Sequence, residues 1–305
     1  VLKAGTYVGA ANGGTGIDNS SAVEGQVALV NADGHLAATS SQLGGIRNHI
    51  IDSRFDYWPE GDSFTDPANI EYTHVLWSAS RVDDGGTLSG VISRQGFTLG
   101  QTDVPHNPTY HMRVTGGVSG GSGNEQWGLN HSIEDVQTFA GENATFGVWL
   151  KGSTAGTIAV NLFQSFGSGG SPSAIAYATG QEIDITTSWA FYHLTFAIPS
   201  VSGKTLGTTA NTSYLGLRLF KQAGATRATS SNLVGAINYT GDLDIAQPYL
   251  VQGSIATVFE QRPPALERGL IEHFYQKTMP DATAPTTGTT AGNRVFQTRT
   301  AIAAS

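Results

Sequence analysis

The sequence predicts an all-β chain, an antiparallel sandwich or barrel with a glycine-rich N-terminal arm and a short C-terminal helix. Three observations predict it. Apolar residues alternate with period two, as in Tyr192, Leu194, Phe196 and Ile198, and again in Leu215, Leu217 and Leu219. Such alternation marks strands with one buried face. Short apolar stretches of this kind are separated by Gly/Ser/Asn turns, the punctuation of sandwiches and barrels. No sustained helical period occurs before residue 264.

The elements follow in order. Residues 1–46 are small, glycine-rich and almost free of aromatics. Asn12-Gly13-Gly14-Thr15-Gly16 is a turn cluster. Residues 26–30 and 35–37 read as a hairpin, because Asp33-Gly34 between them supplies the positive φ of a tight turn. This segment has too few large apolar groups for a core of its own. It is expected to pack on another chain as an anchoring or trimerising arm, the alternative being a mobile tail. Residues 47–263 hold all five tryptophans and the alternating strands. Trp149, Trp189 and Phe191 stand among apolar neighbours and are read as core. Pro199 closes the strand that ends at Ile198. In residues 264–305 the pattern changes. Leu266, Leu270, Ile271 and Phe274 form one stripe of a helix over 264–277, with Pro264 in its first turn. Residues 293–299 read as one more strand, which needs a partner from further chain or from another subunit.

Composition excludes several classes. The net charge is -8, and no three basic residues are consecutive. Nucleic acid, which requires a clustered basic face, is therefore not an expected partner. No apolar run approaches the ~18 residues of a membrane helix, so insertion in a membrane is not expected either. Gly and Pro number 39 and 11 of 305 residues, short of the ~25–30% that marks a low-complexity chain. Cysteine is absent, which removes disulfides, thiolate metal sites and Cys nucleophiles together and suits assembly in a reducing cytoplasm. The first residues carry no secretory leader, and the missing initiator Met suggests processing or a longer native chain.

Several segments resemble a domain of tailed-bacteriophage virion proteins, the fibre, knob and decoration proteins with a carbohydrate-binding-module-like jelly roll. Residues 47–58, beginning Arg47-Asn48-His49-Ile50-Ile51-Asp52, resemble its first strand. Residues 133–141 running into 146–151, residues 188–200, and residues 243–263 are similar to later parts of it. Residues 271–276 resemble the helix that follows the sandwich, and Asn12-Gly13-Gly14-Thr15-Gly16 is similar to fibre linkers. The resemblance covers residues 12–278 and implies a jelly roll over 47–263. It implies a homotrimer that partners other virion structural proteins, is located in the virion and is assembled in the host cytoplasm. A non-enzymatic tail-fibre or receptor-binding protein that engages host surface polysaccharide is the leading expectation. A capsid decoration, cement or head-fibre protein is the second, and a polysaccharide depolymerase the third.

Among chemical constellations, binding aromatics come first. Trp58, Tyr72, Trp77 and Trp127 lie beside turns or polar, Gly-rich segments and are the candidate platforms for a sugar ring. Jelly rolls of the resembled type hold a structural calcium ion near the ends of their first and last strands. Asp52, Asp56, Asp242 and Asp244 lie in such segments, and Asp242 and Asp244 share a face if that segment is extended. No other cofactor is expected. Eight histidines show no His-x-x-x-His or His-x-His spacing, and His106 and His111 merely flank a turn. Ser168 sits in a glycine loop with no strand before a helix, so acyl transfer has no support. Glycoside hydrolysis needs two carboxylates about 5–9.5 Å apart across one cleft. The pairs Glu134/Asp135 and Asp83/Asp84 are sequence neighbours, which on a strand face opposite ways.

Overall fold

A computed structural model describes residues 27–30, 36–39 and 47–274. The chain divides into two units, residues 1–47 and 48–305, each taken by itself. In the first, β1 (Val27–Val30) and β2 (Leu36–Thr39) form an antiparallel hairpin with Val30 opposite Leu36. Its Asp33-Gly34 turn, the rest of the arm, the last residues expected of the helix and the strand expected over 293–299 lie outside the described residues.

The second unit begins with short strands. They are β3 (Ser63–Thr65), β4 (Tyr72–His74), β5 (Trp77–Val82), β6 (Thr87–Ser89), β7 (Val91–Gly96), β8 (Tyr110–Val114) and β9 (Gly117–Ser119). Longer strands follow: β10 (Gln126–Glu134), β11 (Asn143–Gly152), β12 (Gly156–Phe166), β13 (Ala176–Tyr177), β14 (Gln181–Ile185), β15 (Ala190–Ala197) and β16 (Ser213–Ala223). The chain then forms α1 (Ala225–Ser230), β17 (Ile237–Asn238), β18 (Leu243–Gln252) and α2 (Pro264–Phe274). Among the described residues one sheet runs β13-β12-β16-β10-β5-β4, with β14 on β12 and β17 on β16. A second runs β15-β11-β18-β8-β7-β3, and β6 and β9 form a small two-stranded sheet beside them. Neighbouring strands are antiparallel throughout, and the two larger sheets enclose one core. This is the sandwich that the period-two pattern predicts.

Strand parity decides which side chains enter that core. Leu215, Leu217 and Leu219 of β16 face Leu129 and Ile133 of β10 and Ile158, Val160 and Leu162 of β12 within it. From the facing sheet come Phe146, Val148 and Leu150 of β11 and Ile245 and Leu250 of β18. Phe191 and His193 of β15 are exposed while Phe196 and Ile198 are buried, as the alternation requires.

Residues 47–58 are not a strand but irregular backbone around a turn at residues 51–54. Their polar side chains take up backbone groups that a ladder would use. Asn48 Oδ1 accepts from the N–H of Ile50 at 2.9 Å and of Leu250 at 3.0 Å. Asp52 accepts from the N–H of Asp56 and Tyr57 at 3.1 and 2.8 Å, and lies 2.7 Å from His74 Nε2. Asp52 and Phe55 adopt φ of 49° and 57° to do so.

Helix α2 buries Ile271 against Ile51 and Val75, with Leu270 beside them. Leu266 and Phe274, expected on the same stripe, remain exposed. Arg262, just before the helix, reaches Asn48 O at 2.7 Å, Ile50 O, and Glu267 Oε2 at 2.6 Å. Glu267 in turn accepts from the N–H of Asp52 at 2.5 Å. The helix is thereby clasped to the turns at the start of the unit.

Candidate functional site

The structure reverses the aromatic assignments. Trp58, Trp77 and Trp127 are at most 1% exposed and belong to the core, so none can meet a ligand from solvent. The reason is parity. Trp127 shares its face of β10 with Leu129, His131 and Ile133, and Trp77 shares its face of β5 with Ala79. The indoles of Trp127 and Trp58 are satisfied internally, donating to Thr115 O and Phe55 O at 2.9 Å each. Conversely, Trp149, Trp189 and Phe191 are outside the core, partly or substantially exposed. Trp149 alternates with the buried Val148 and Leu150, and Phe191 with Tyr192. They form an aromatic surface on the six-stranded sheet, with Trp149 and Phe191 ring centroids 5.8 Å apart and Phe191 stacked on Tyr249 at 6.2 Å.

The aspartates offered to calcium are engaged otherwise. Asp242 precedes β18, and its backbone N–H, rather than its carboxylate, is fixed, by Ser153 Oγ at 2.8 Å. Both oxygens of Asp244 are held by Arg113, Nε to Oδ1 at 2.6 Å and Nη2 to Oδ2 at 2.8 Å. Burial pushes the Asp244 carboxyl up, but the charged hydrogen bonds from Arg113 outweigh it and hold the group below the usual carboxylate range. Asp52 is committed to His74 and to backbone N–H groups. Among the described residues no three His, Cys, Asp or Glu side chains gather as a metal site. The other carboxylates are engaged separately. Asp83 is paired with Arg81, while Asp84 accepts from the N–H of Ser122 and Asn124.

What the fold does build is a groove of about 1230 Å³ across the outer face of the eight-stranded sheet. Its floor comes from the outward parity of β5, β10 and β16: Ser78 and Ser80, Gln126 and Asn130, Tyr214 and Arg218. Tyr72 of β4, half exposed, stands at one wall, opposite Ser78 in register. Arg227 of α1 and the end of α2 add to the rim. The floor is flat where it needs to be because β16 carries Gly216. A Cβ there would collide with the ring of Phe163, its cross-strand partner on β12. Phe163 therefore lies down over Gly216, and the Arg218 guanidinium rests on its ring at 4.5 Å.

The floor is also unsatisfied. Gln126 is buried and donates from Nε2 to Ser80, yet its Oε1 has no partner. Asn130 Oδ1, Arg218 Nε and Arg227 Nε are buried and likewise without one. Such groups normally find partners; these four atoms lie beneath the groove's surface rather than open to it. Burial pushes the Tyr214 hydroxyl above its ordinary range, and burial pulls Arg218 below its own. Of the sugar-platform aromatics proposed from sequence, Tyr72 alone lines this groove, and Glu134 and Asp135, weighed as a carboxylate pair, also line it. Gln126, Asn130, Tyr214, Arg218 and Arg227 were missed. The signal was present, since the alternation of Leu215, Leu217 and Leu219 places Tyr214, Gly216 and Arg218 on the opposite face.

No protein-family model and no curated protein matches the chain. Several solved structures are distantly similar to it. Bacteriophage CBA120 tailspike protein 4 matches 61% of this chain and 20% of its own at 14% identity and a TM-score of 0.33. A candidate sugar binding protein from Bacteroides thetaiotaomicron matches 68% of this chain and 100% of its own at 15% identity and a TM-score of 0.37. The family 22 carbohydrate binding module of Clostridium thermocellum Xyn10B matches 68% and 100% at 14% identity and a TM-score of 0.34. This chain thus spans a fifth of the tailspike chain's length. At these values the likenesses say nothing of what this chain binds; the fold class rests on its own strands and core.

Proposed function

We propose that this chain binds carbohydrate in the groove on the outer face of its eight-stranded sheet, and binds without cleaving. The observation that carries the reading is the groove's lining, where Tyr72 and Tyr214 stand beside the polar side chains of Asn130, Ser132 and Arg218. Sugar rings present hydroxyls that donate and accept around their edge and C–H faces that lie against aromatic rings. A polar floor beside tyrosines matches both needs, and an open groove suits a chain more than a single small molecule. Glu134 and Asp135 line one end of the groove, but they are sequence neighbours at the close of a strand, and the reading assigns them no acid–base roles.

The finer reading is a tail-fibre or receptor-binding protein of a tailed-phage virion, homotrimeric through residues 1–46 and held by other virion proteins. It is supported by the segments of sequence that resemble that group. A capsid decoration role and a depolymerase role are its rivals. Calorimetric titration of the full chain with soluble polysaccharides tests the binding. Tyr72→Ala is expected to weaken it about three- to tenfold, the usual worth of one aromatic contact, with the melting temperature unchanged. Binding that ignores both Tyr72→Ala and Asn130→Ala would place the ligand elsewhere. Density at the tail or on the capsid separates the two virion roles, and release of reducing sugar would support cleavage.

A further inference from the structure

We propose that the groove selects a negatively charged glycan, whose acidic group seats between Arg218 and Arg227. The inference rests on the glycan reading above and adds the class of ligand. It begins from a contrast within the chain. Arg54, Arg81, Arg94, Arg113, Arg262 and Arg268 each rest against a carboxylate, at N–O distances of 2.5–3.4 Å. Arg218 and Arg227 do not: among the described residues no carboxylate lies within ion-pair reach of either. In a chain of net charge -8, two adjacent cations without an anion are an arrangement that ordinary folding does not favour. Partly buried charge is costly unless it is paired.

The surroundings sharpen this. Burial weighs most on the Arg218 guanidinium; Tyr177, which hydrogen-bonds it, and Tyr214 favour its charge, and Arg227 repels it. Its Nε and that of Arg227 are buried and donate to nothing. Arg218 is also held in place, because its guanidinium lies on the Phe163 ring at 4.5 Å. A planar fork fixed in this way presents donors in the geometry that carboxylate, sulfate and phosphate oxygens accept.

The groove's own carboxylates are at its other end. In the β10–β16 register Glu134 is opposite Tyr214, whereas Arg218 is opposite Asn130, four residues along. At the rise of a strand that is about 13 Å. Glu134 faces His273 instead, at 3.5 Å. The acidic end does not neutralise the basic one, and an acidic substituent on a bound sugar would.

The test uses the full chain and a matched panel. Polygalacturonate and alginate offer carboxylates, dextran sulfate offers sulfates, and poly(glycerol phosphate) offers phosphates. Carboxyl-reduced polygalacturonate, dextran and xylan are the neutral counterparts. Binding is expected to an anionic member, to weaken at least about tenfold on carboxyl reduction or with Arg227→Gln, and to fall as salt rises. Which anionic member binds identifies the acidic group. Arg227 lies on a surface helix, so its variant is expected to keep the melting temperature, and it stands in should Arg218→Gln fail to fold. Neutral and anionic polymers binding alike, unmoved by Arg227→Gln but weakened by Tyr72→Ala, would overturn the charge selection and leave the glycan groove intact. Binding to none of the panel would overturn both.

Discussion

Arg113 holds both carboxylate oxygens of Asp244, tying β8 to β18 across the outer face of the six-stranded sheet, at 2.6 and 2.8 Å. The pair occupies the group that the sequence offers to calcium, and it does so with Asp244 almost fully buried. Asp244→Asn is expected to cost about 1–3 kcal/mol, the range for a hydrogen bond to a charged group, read by urea unfolding. A chelator should leave the melting temperature where it was. A fall on chelation, restored by calcium, would show that the carboxylate serves a metal after all.

Trp127 and Trp149 are expected to part company under truncation. Trp127→Ala empties a fully buried site and should cost ~3–5 kcal/mol. Trp149→Ala removes a partly exposed ring from the outer face and should cost about 1 kcal/mol or less. Equal losses in equilibrium unfolding would contradict the placement of these two side chains on opposite faces of their sheets.

His131 gives the fold an acid-sensitive window. The ring is wholly buried against Trp77, centroids 4.7 Å apart, and neither nitrogen has a partner. Burial, helped by the charges of His74 and Arg262, lowers its pKa to about 3. Between the ordinary value of 6.5 and that figure the unfolded chain binds a proton that the folded chain refuses. Stability should therefore fall as pH drops through this interval, by up to about 1.4 kcal/mol per pH unit from this group. His131→Leu should flatten that part of the profile. Parallel curves for the two proteins between pH 6.5 and 3 would refute it.

Gly216→Ala should disturb the groove from below. The added methyl meets the Phe163 ring, and Arg218 rests on that ring. A loss of about 1–3 kcal/mol is expected from the overpacking, together with weaker binding of the anionic glycan. Full stability with unchanged binding would mean that the Phe163 ring does not set the position of Arg218.

The fold was legible in the sequence because parity is. Tyr192, Leu194, Phe196 and Ile198 announce a strand, and Leu215, Leu217 and Leu219 announce its partner face. The groove was harder to see for a related reason. Trp127 was weighed by the Gly-rich turn beside it and Trp149 by its apolar neighbours, whereas each is placed by the parity of its own strand. Residues 47–58 could not be read as irregular from propensity, since Asn48 and Asp52 depart from a strand only because Leu250 and His74, far along the chain, are there to meet them. Arg218 and Arg227 stand out only once every other neighbour's charge is placed in space.

The clasp made by Arg262 has a mechanical meaning. Asn48 and Ile50, near the start of the second unit, and Glu267, near the end of its described part, meet on one guanidinium. A pull applied at residues 48 and 267 would therefore load these few bonds first and peel them one after another, before tension reached the long ladders of β10, β11, β12 and β16. The sandwich would behave as a body hung from one corner, its sheets shielded from the line of force while the clasp holds. In an optical-trap experiment that predicts a small early yield, removed by Arg262→Ala, ahead of the main rupture.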